Sequence, residues 1–387
     1  MTRAFPFEPA FVSETLLREA AEPASALAAA GVAIEHDAPN PGEGLRRLVR
    51  FFGEKGLLRL VTDARFGGAH ERMSSIGLCL VRERLGHASP LVELAFAMQG
   101  LGSYPMTLAA SEHGSSDAAE VWLPKVVRGE AVAAFALTEA QAGTDLGGLA
   151  TSAVRRGDAY VLTGEKRFIS NAGVADVYVV FARTEDGKVS AFAVDARSEG
   201  LSVRPQAVLG GHPIGEVVLD GVVVPEAMRL GAEGRGMALA LGTLHRFRPT
   251  VGAAALGFAQ RALDESVAHV SSRHQFGAPL SELPLVQAKL GEMACELEAA
   301  RLLVYRAAAA IDAGGDRGEV ARKGSMAKLV ATEGAQKVID AAVQLHGGAG
   351  VLTTGIVARL YEEVRALRIY EGTNDVQKIL IARELLR

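Results

Sequence analysis

The spacing of apolar residues changes twice along the chain, and this double change constrains the fold more than any other feature. Up to about residue 130 the spacing is helical. Leu45, Leu48, Val49, Phe52 and Leu57 share one face, and Ile76, Leu80 and Leu85 share another. His36 to Gly42, with two prolines and an asparagine, reads as a loop. From about residue 131 short β-type runs take over. Ala159–Leu162 and Arg167–Ser170 flank Thr163-Gly164-Glu165, Val177–Ala182 and Val189–Val194 flank Asp186-Gly187, and Glu216–Leu219 and Val222–Val224 flank Asp220-Gly221. Each reads as a hairpin, because tight hairpin turns need the positive φ that Asp-Gly adopts readily. Gly231, Gly234 and Gly236 mark a link, after which the helical period returns. Val286, Leu290, Met293, Leu297, Ala300 and Val304 form one face of a long helix, with Pro284 in its first turn. Ala327, Val330, Ala331 and Ala335 begin another, running towards Leu345. The pattern predicts an α+β chain: a helical domain over 1–130, a middle domain of short antiparallel strands over 131–235 and a helical domain over 236–387.

Composition narrows the class. Of the 387 residues, 49% are hydrophobic, too many for a disordered chain. The 41 basic and 45 acidic residues give a net charge of −4, which leaves no electrostatic footprint for nucleic acid. Cys79 and Cys295 are too few and too far apart for a disulfide framework or a metal site, and they suit a reducing compartment. No apolar run reaches the roughly 18 residues of a membrane span. The segment from Met1 through Glu8 and Glu14 to Arg18 lacks a signal-peptide core. These features predict a soluble, cytoplasmic enzyme without a metal.

Three segments carry candidate chemistry. Phe135 to Asp145 (Phe-Ala-Leu-Thr-Glu-Ala-Gln-Ala-Gly-Thr-Asp) opens the β region; its small residues let backbone approach a ligand, and Thr138 and Thr144 are hydrogen-bond donors. On composition alone it is equally a plain polar loop. Gly164 to Ala172 ends a strand in Ser170-Asn171, and Phe168 within it reads on its own as ordinary core packing. Gln344-Leu345-His346-Gly347-Gly348-Ala349-Gly350 is followed by Arg368-Ile369-Tyr370-Glu371-Gly372-Thr373-Asn374-Asp375. A loop carboxylate among apolar neighbours has a raised pKa and suits a general base, which singles out Glu371. Gly347-Gly348 alone is also a simple helix C-cap, and the glycines lack both the P-loop and the Rossmann context.

At these residues the chain resembles the acyl-CoA dehydrogenases over essentially its whole length. Leu137-Thr138-Glu139 with Ala142-Gly143-Thr144-Asp145 resembles the family's first motif, and Gln344-x-x-Gly347-Gly348-x-Gly350 its second. Tyr370-Glu371-Gly372-Thr373 resembles the catalytic-base loop, and Arg273-His274-Gln275-Phe276-Gly277 the Arg-x-x-Phe-Gly segment. The resemblance implies an N-terminal helical domain, a central antiparallel β-barrel-like domain and a C-terminal four-helix bundle. It also implies FAD-dependent α,β-dehydrogenation of an acyl-CoA to the trans-2-enoyl-CoA, as in fatty acid metabolism. In that scheme Glu371 takes the α-proton, the β-hydride passes to flavin N5, and the Glu371 N–H polarises the thioester carbonyl. FAD contacts are implied for Phe135, Leu137, Thr138, Gly143, Thr144, Phe168, Ser170, Arg273, Phe276, Gln344, Gly347, Gly348, Thr373 and Asp375, and acyl-CoA contacts for Thr144, Arg248 and Gly372. An electron-transfer flavoprotein as acceptor and a homotetramer sharing FAD across subunits are implied as well.

The sequence departs from the family pattern in places. Phe168 and Ser170 stand where tryptophan and threonine are frequent, His245 where an aspartate contacts CoA, and Pro284 where a glutamine touches FAD. Phe247 occupies the position of an alternative base and cannot act as one, which strengthens Glu371. No Lys or Arg occurs between Arg84 and Lys125, and Val92 stands at the position of the glutaryl-type arginine, so a neutral acyl group is expected. The other readings are an acyl-CoA oxidase, a dehydrogenase of carrier-protein thioesters and a catalytically silent interaction protein; retention of Glu371 argues against the last.

Overall fold

The computed structural model describes residues 12–113 and 116–386, so the start of the segment read for a signal peptide lies outside the described residues. By its contacts the chain forms two compact units, each assembled from separated segments. One comprises Ala30–Ser74 with Leu94–His245; the other comprises residues up to Ala29, Ser75–Glu93 and Arg246 onwards.

The first unit centres on an eight-stranded sheet: β1 (Ala133–Ala136), β2 (Ser152–Arg156), β3 (Ala159–Ser170), β4 (Val177–Arg183), β5 (Val189–Asp195), β6 (Leu201–Pro205), β7 (Ile214–Pro225) and β8 (Arg229–Leu230). The order is β6-β7-β3-β2-β4-β5-β8, with β1 beside β4. Most pairings are antiparallel, but β1 and β2 each meet β4 in parallel. β4 and β5 are buried on both faces and read as continuous apolar runs, whereas β7 alternates. Within this unit the Pro41–Glu54 helix buries Leu45, Leu48, Val49 and Phe52, as the spacing predicts, and begins at an Asn40 cap that accepts from the Glu43 N–H at 2.9 Å.

Only one of the three expected hairpins forms. β4 and β5 are joined by a turn at Asp186-Gly187, with Gly187 at φ +77°. Thr163-Gly164-Glu165 lies inside β3, and Asp220-Gly221 lies inside β7. The two stretches face each other across a register shift, with Leu162 opposite Val222 and Gly164 opposite Leu219. The glycines therefore serve a β-bulge in two long paired strands, not two turns. Gly164 has a further reason to be glycine, since a Cβ there would lie 2.6 Å from Thr151 Oγ1.

The second unit is helical. It holds Ser75–Ala88, the part of Gly236–Ser272 from Arg246 onwards, Pro284–Asp312, Arg317–His346, Ile356–Leu367 and Asn374–Leu385. Met293, Leu297, Ala300 and Val304 are buried, as their spacing predicts, while Val286 and Leu290 nearer the helix start stay partly exposed. Asp312 accepts from the Ser75 and Ile76 N–H groups at 2.7 and 3.1 Å, satisfying the first turn of the Ser75–Ala88 helix. Glu83 is buried against Arg301 at 2.9 Å and receives the Tyr305 hydroxyl hydrogen at 2.7 Å. Among the described residues no helix is long and apolar enough to cross a membrane.

Candidate active site

In the helical unit, the loop between Ile356–Leu367 and Asn374–Leu385 holds Glu371. The loop closes through the Asn374 N–H donating to Arg368 O at 3.0 Å. Thr373 caps the next helix, its Oγ1 accepting from the Val376 N–H at 3.3 Å. Between them Glu371 takes φ +54° and Gly372 φ +90°. A non-glycine residue costs about 1–2 kcal/mol in this region, so the surroundings must hold it there. Lys328 Nζ and Gln377 Nε2 both donate to Gly372 O, at 3.0 and 2.9 Å. Lys328 also donates to Asn374 Oδ1 at 2.7 Å. Asn374 Nδ2 donates in turn to Thr332 Oγ1 at 3.0 Å and Glu333 Oε1 at 2.7 Å, and Glu333 pairs with Arg368 at 2.7 Å.

Glu371 is half-buried, yet its Oε2 is shut off from solvent with no hydrogen-bond partner among the described residues. Burial pushes its pKa from 4.5 up to about 7, against the pull of Arg82, Lys328 and Arg248 and with a push from Glu93. Arg82 is buried and spends its charge on Glu93 and on Thr250 Oγ1, the latter at 2.7 Å. Arg248 is buried too, with Nε and Nη1 lacking partners among the described residues, and burial lowers its pKa. A Cβ on Gly372 would come 2.7 Å from Gln377 Nε2 and 3.9 Å from Arg248 Nη2, so the loop, Arg248 and Gln377 are immediate neighbours. A carboxyl that titrates near neutrality and keeps an unengaged oxygen is equipped to take up a proton.

Elsewhere in the same unit, Arg273 ends the Gly236–Ser272 helix, exposed, and Phe276 tips the small hairpin of β9 (His274–Gln275) and β10 (Ala278–Pro279). Gly347 caps the Arg317–His346 helix, its N–H donating to Gln344 O. A Cβ on Gly347 or Gly348 would meet nothing within 4 Å. Stacked His269 and His346 rings, 4.4 Å apart, bring the ends of these two helices together. Thr373 is half-buried, and Asp375 is exposed in its helix's first turn, 3.0 Å from Lys378 Nζ.

In the sheet unit, Phe135 lies on β1 against Phe181, 4.9 Å between centroids. Leu137 is buried, Thr138 half-buried, and Gly143 and Thr144 exposed; a Cβ on Gly143 would meet nothing within 4 Å. The loop hangs on Lys166, fully buried, which donates to Leu137 O at 3.2 Å and Glu139 Oε1 at 2.7 Å. Glu139 also accepts from the Ala150 and Thr151 N–H groups. Burial acts to raise Glu139, but these partners outweigh it and hold the carboxyl below its usual range. Phe168 is not a core residue: its ring is 57% exposed, at φ +55°, beside half-buried Ser170.

Among the described residues only Phe168, Asn171, Phe276 and Glu371 are non-glycine residues with left-handed φ. Three of the four are residues the sequence singled out, and a bulky side chain in this region marks a constraint beyond folding. Sequence reasoning missed Lys328, Gln377, Arg82, Glu93 and Lys166. A signal for Lys328 was present, because it falls at helical intervals among Gly324, Ala331, Ala335 and Val338, on the face that becomes buried.

Comparison with known proteins identifies the family. Family models for the acyl-CoA dehydrogenase N-terminal, middle and C-terminal domains match residues 13–130, 134–222 and 234–386. The cyclohexane-1-carbonyl-CoA dehydrogenase of Geobacter metallireducens is 37% identical over 97% of both chains. The CarC subunit of the caffeyl-CoA reductase–Etf complex of Acetobacterium woodii is 33% identical over 92% of both. The structure of an acyl-CoA dehydrogenase from Bacillus anthracis complexed with FAD superposes with a TM-score of 0.88 at 28% identity, covering 98% of this chain and 68% of that one.

Proposed function

The chain belongs to the acyl-CoA dehydrogenase family of oxidoreductases, and from that premise we propose that it desaturates an acyl-CoA thioester between its α and β carbons, with Glu371 as the base. The observation that carries the reading is the enclosed, unpartnered Oε2 of Glu371 on a left-handed loop. The carboxylate removes the α-proton. Its own backbone N–H donates to the thioester carbonyl, which delocalises the charge left on the α-carbon. Acyl-CoA contacts are proposed for Arg248, Gly372 and Thr144.

FAD fits the residues present. Phe168 and Phe276 expose 57% and 94% of their surface, as suits an aromatic cofactor, and Gly143, Gly347 and Gly348 leave open space where a side chain would stand. FAD contacts are proposed for Phe135, Leu137, Thr138, Gly143, Thr144, Phe168, Ser170, Phe276, Thr373 and Asp375, and contacts to a neighbouring subunit's FAD for Arg273, Gln344, Gly347 and Gly348. When bound, FAD supplies the acceptor for the β-hydride. An electron-transfer flavoprotein is proposed as the redox partner, in keeping with a relative that is a subunit of a reductase–Etf complex, and a homotetramer is proposed on the family resemblance. A neutral acyl group is proposed because Val92 stands at the position of the glutaryl-type arginine and no Lys or Arg occurs between Arg84 and Lys125.

Purified protein should be yellow and should bleach anaerobically with the right member of a panel of straight, branched and cyclic acyl-CoAs. Glu371→Gln should keep the colour and lose the bleaching. A colourless protein that FAD cannot reconstitute would refute the reading.

A further inference from the structure

Lys328 stands out among the groups that the proposed reaction does not use. It is fully buried in the middle of the Arg317–His346 helix, where an ammonium has no solvent to stabilise it. No carboxylate is placed within its direct hydrogen bonds; its partners are a backbone carbonyl and an amide oxygen. Both belong to the loop after Glu371, and they lie on either side of Thr373. A single ammonium thus spans the turn, and only an amine offers several donors on so compact a head. Asn374, held by Lys328, is held again by Thr332 and Glu333 from the same helix. Gln377 donates to the same Gly372 carbonyl but is neutral.

We propose that Lys328 is a positioning residue: by gripping Gly372 O and Asn374 Oδ1 together it holds Glu371 in its left-handed conformation, and its positive charge favours the ionised carboxylate. This rests on the reading of Glu371 as the base only for its second half. The groups that face Glu371 are Arg82 from the Ser75–Ala88 helix, Glu93 from the Pro90–His113 helix, Arg248 from the Gly236–Ser272 helix, Lys328, and Tyr370 in the loop itself. Three of these are cations. Arg82 exerts the largest pull of the three and is paired with Glu93, Arg248 lies near Gly372, and Lys328 is the one that donates a hydrogen bond to the loop's backbone.

The test uses the FAD-loaded full-length protein and two variants, Lys328→Met and Asn374→Ala, each read in two ways. The first reading is amide hydrogen exchange of peptides covering residues 368–378, which needs no substrate. Loss of the grip should speed exchange of this segment about tenfold in Lys328→Met, the equivalent of one lost hydrogen bond, with the sheet unchanged. The second is the pH profile of flavin bleaching by whichever acyl-CoA of the panel the wild type turns over fastest. Activity rises with pH as Glu371 ionises. Removing a cation moves that rise to higher pH in Lys328→Met, with kcat falling about tenfold and KM changing less. Asn374→Ala keeps the charge, so its loop exchange should rise while its pH midpoint stays. Wild-type exchange at 368–378 in folded Lys328→Met would overturn the proposal, as would a wild-type pH midpoint and kcat. If Lys328→Met does not fold, unchanged loop exchange in Asn374→Ala overturns it instead. If no acyl-CoA bleaches the wild type, the dehydrogenase reading fails, while the exchange measurement still decides the clamp.

Discussion

Replacing Glu371 by glutamine should abolish turnover and stabilise the fold, by an amount that depends on pH. The carboxyl titrates at about 7 in the folded chain, against an ordinary value of 4.5. Below 4.5 it is protonated in both folded and unfolded chains, so the stability associated with the neutral acid is fully present there. As pH rises from 4.5 to 7 the unfolded chain ionises first, and that stability is lost. Above 7 the loss is complete and constant, at about 3 kcal/mol for a shift of this size. Glutamine has nearly the same shape and cannot ionise, so it escapes the loss. Urea unfolding of FAD-loaded wild type and Glu371→Gln should therefore differ by about 1 kcal/mol at pH 5 and about 3 kcal/mol at pH 8, the variant being the more stable. A gap that is constant with pH, or that favours the wild type at pH 8, would show that Glu371 is not held at a raised pKa, and the argument for it as a base near neutrality would fall with it.

Three further outcomes follow from the same geometry. The wild-type bleaching rate should rise about tenfold between pH 6 and pH 8, tracking the ionised fraction of a carboxyl at about 7; a flat profile in stopped-flow measurements would contradict this. Lys166→Met leaves Glu139 buried without its cation and should cost about 3–5 kcal/mol in urea unfolding, with weakened FAD retention. Gly164→Ala places a Cβ 2.6 Å from Thr151 Oγ1 at φ +152° and should cost roughly 2 kcal/mol, whereas Gly187→Ala, with open space around it, should cost only about 1 kcal/mol.

The layout of the chain was legible in its sequence because burial leaves a periodic trace. Leu45 to Phe52 and Met293 to Val304 lie where a 3.6-residue repeat places them, and the change to short strands falls where β1 begins. The turns were less legible, and for a definite reason. Asp-Gly signals a positive φ, and a positive φ serves a bulge as well as a hairpin; only the partner strand decides between them, and that partner is remote in sequence. At the site, Glu371 was singled out by its local surroundings, whereas Phe168 read locally as core and was marked only by the family resemblance. Lys328, Lys166 and Arg82 were not, because their roles come from partners 27 to 46 residues away for the lysines and, for Arg82, from Glu93 and Thr250 across two helices. A lysine on an apolar helix face is a warning that something must satisfy it, but the warning does not say what.

The two buried lysines solve one physical problem in the same way. Each donates to a backbone carbonyl of a loop that the sequence marked for chemistry, Leu137 O in one case and Gly372 O in the other. Each also takes a side-chain oxygen from two residues further along, Glu139 or Asn374. Burial lowers both to about 8 from 10.5, so each is mostly charged at neutral pH while carrying a real desolvation cost. The Phe135–Asp145 loop, with its glycine and alanines, has few side chains to pack it, and the Glu371 loop holds strained left-handed residues, so each needs order supplied from outside. A rotatable ammonium with three donors, anchored on a strand or a long helix, supplies that order from outside the loop. The difference in the second partner then matters. Glu139 neutralises Lys166, whereas Asn374 leaves the charge of Lys328 uncompensated within its direct bonds. The uncompensated one lies beside the carboxylate that has to ionise.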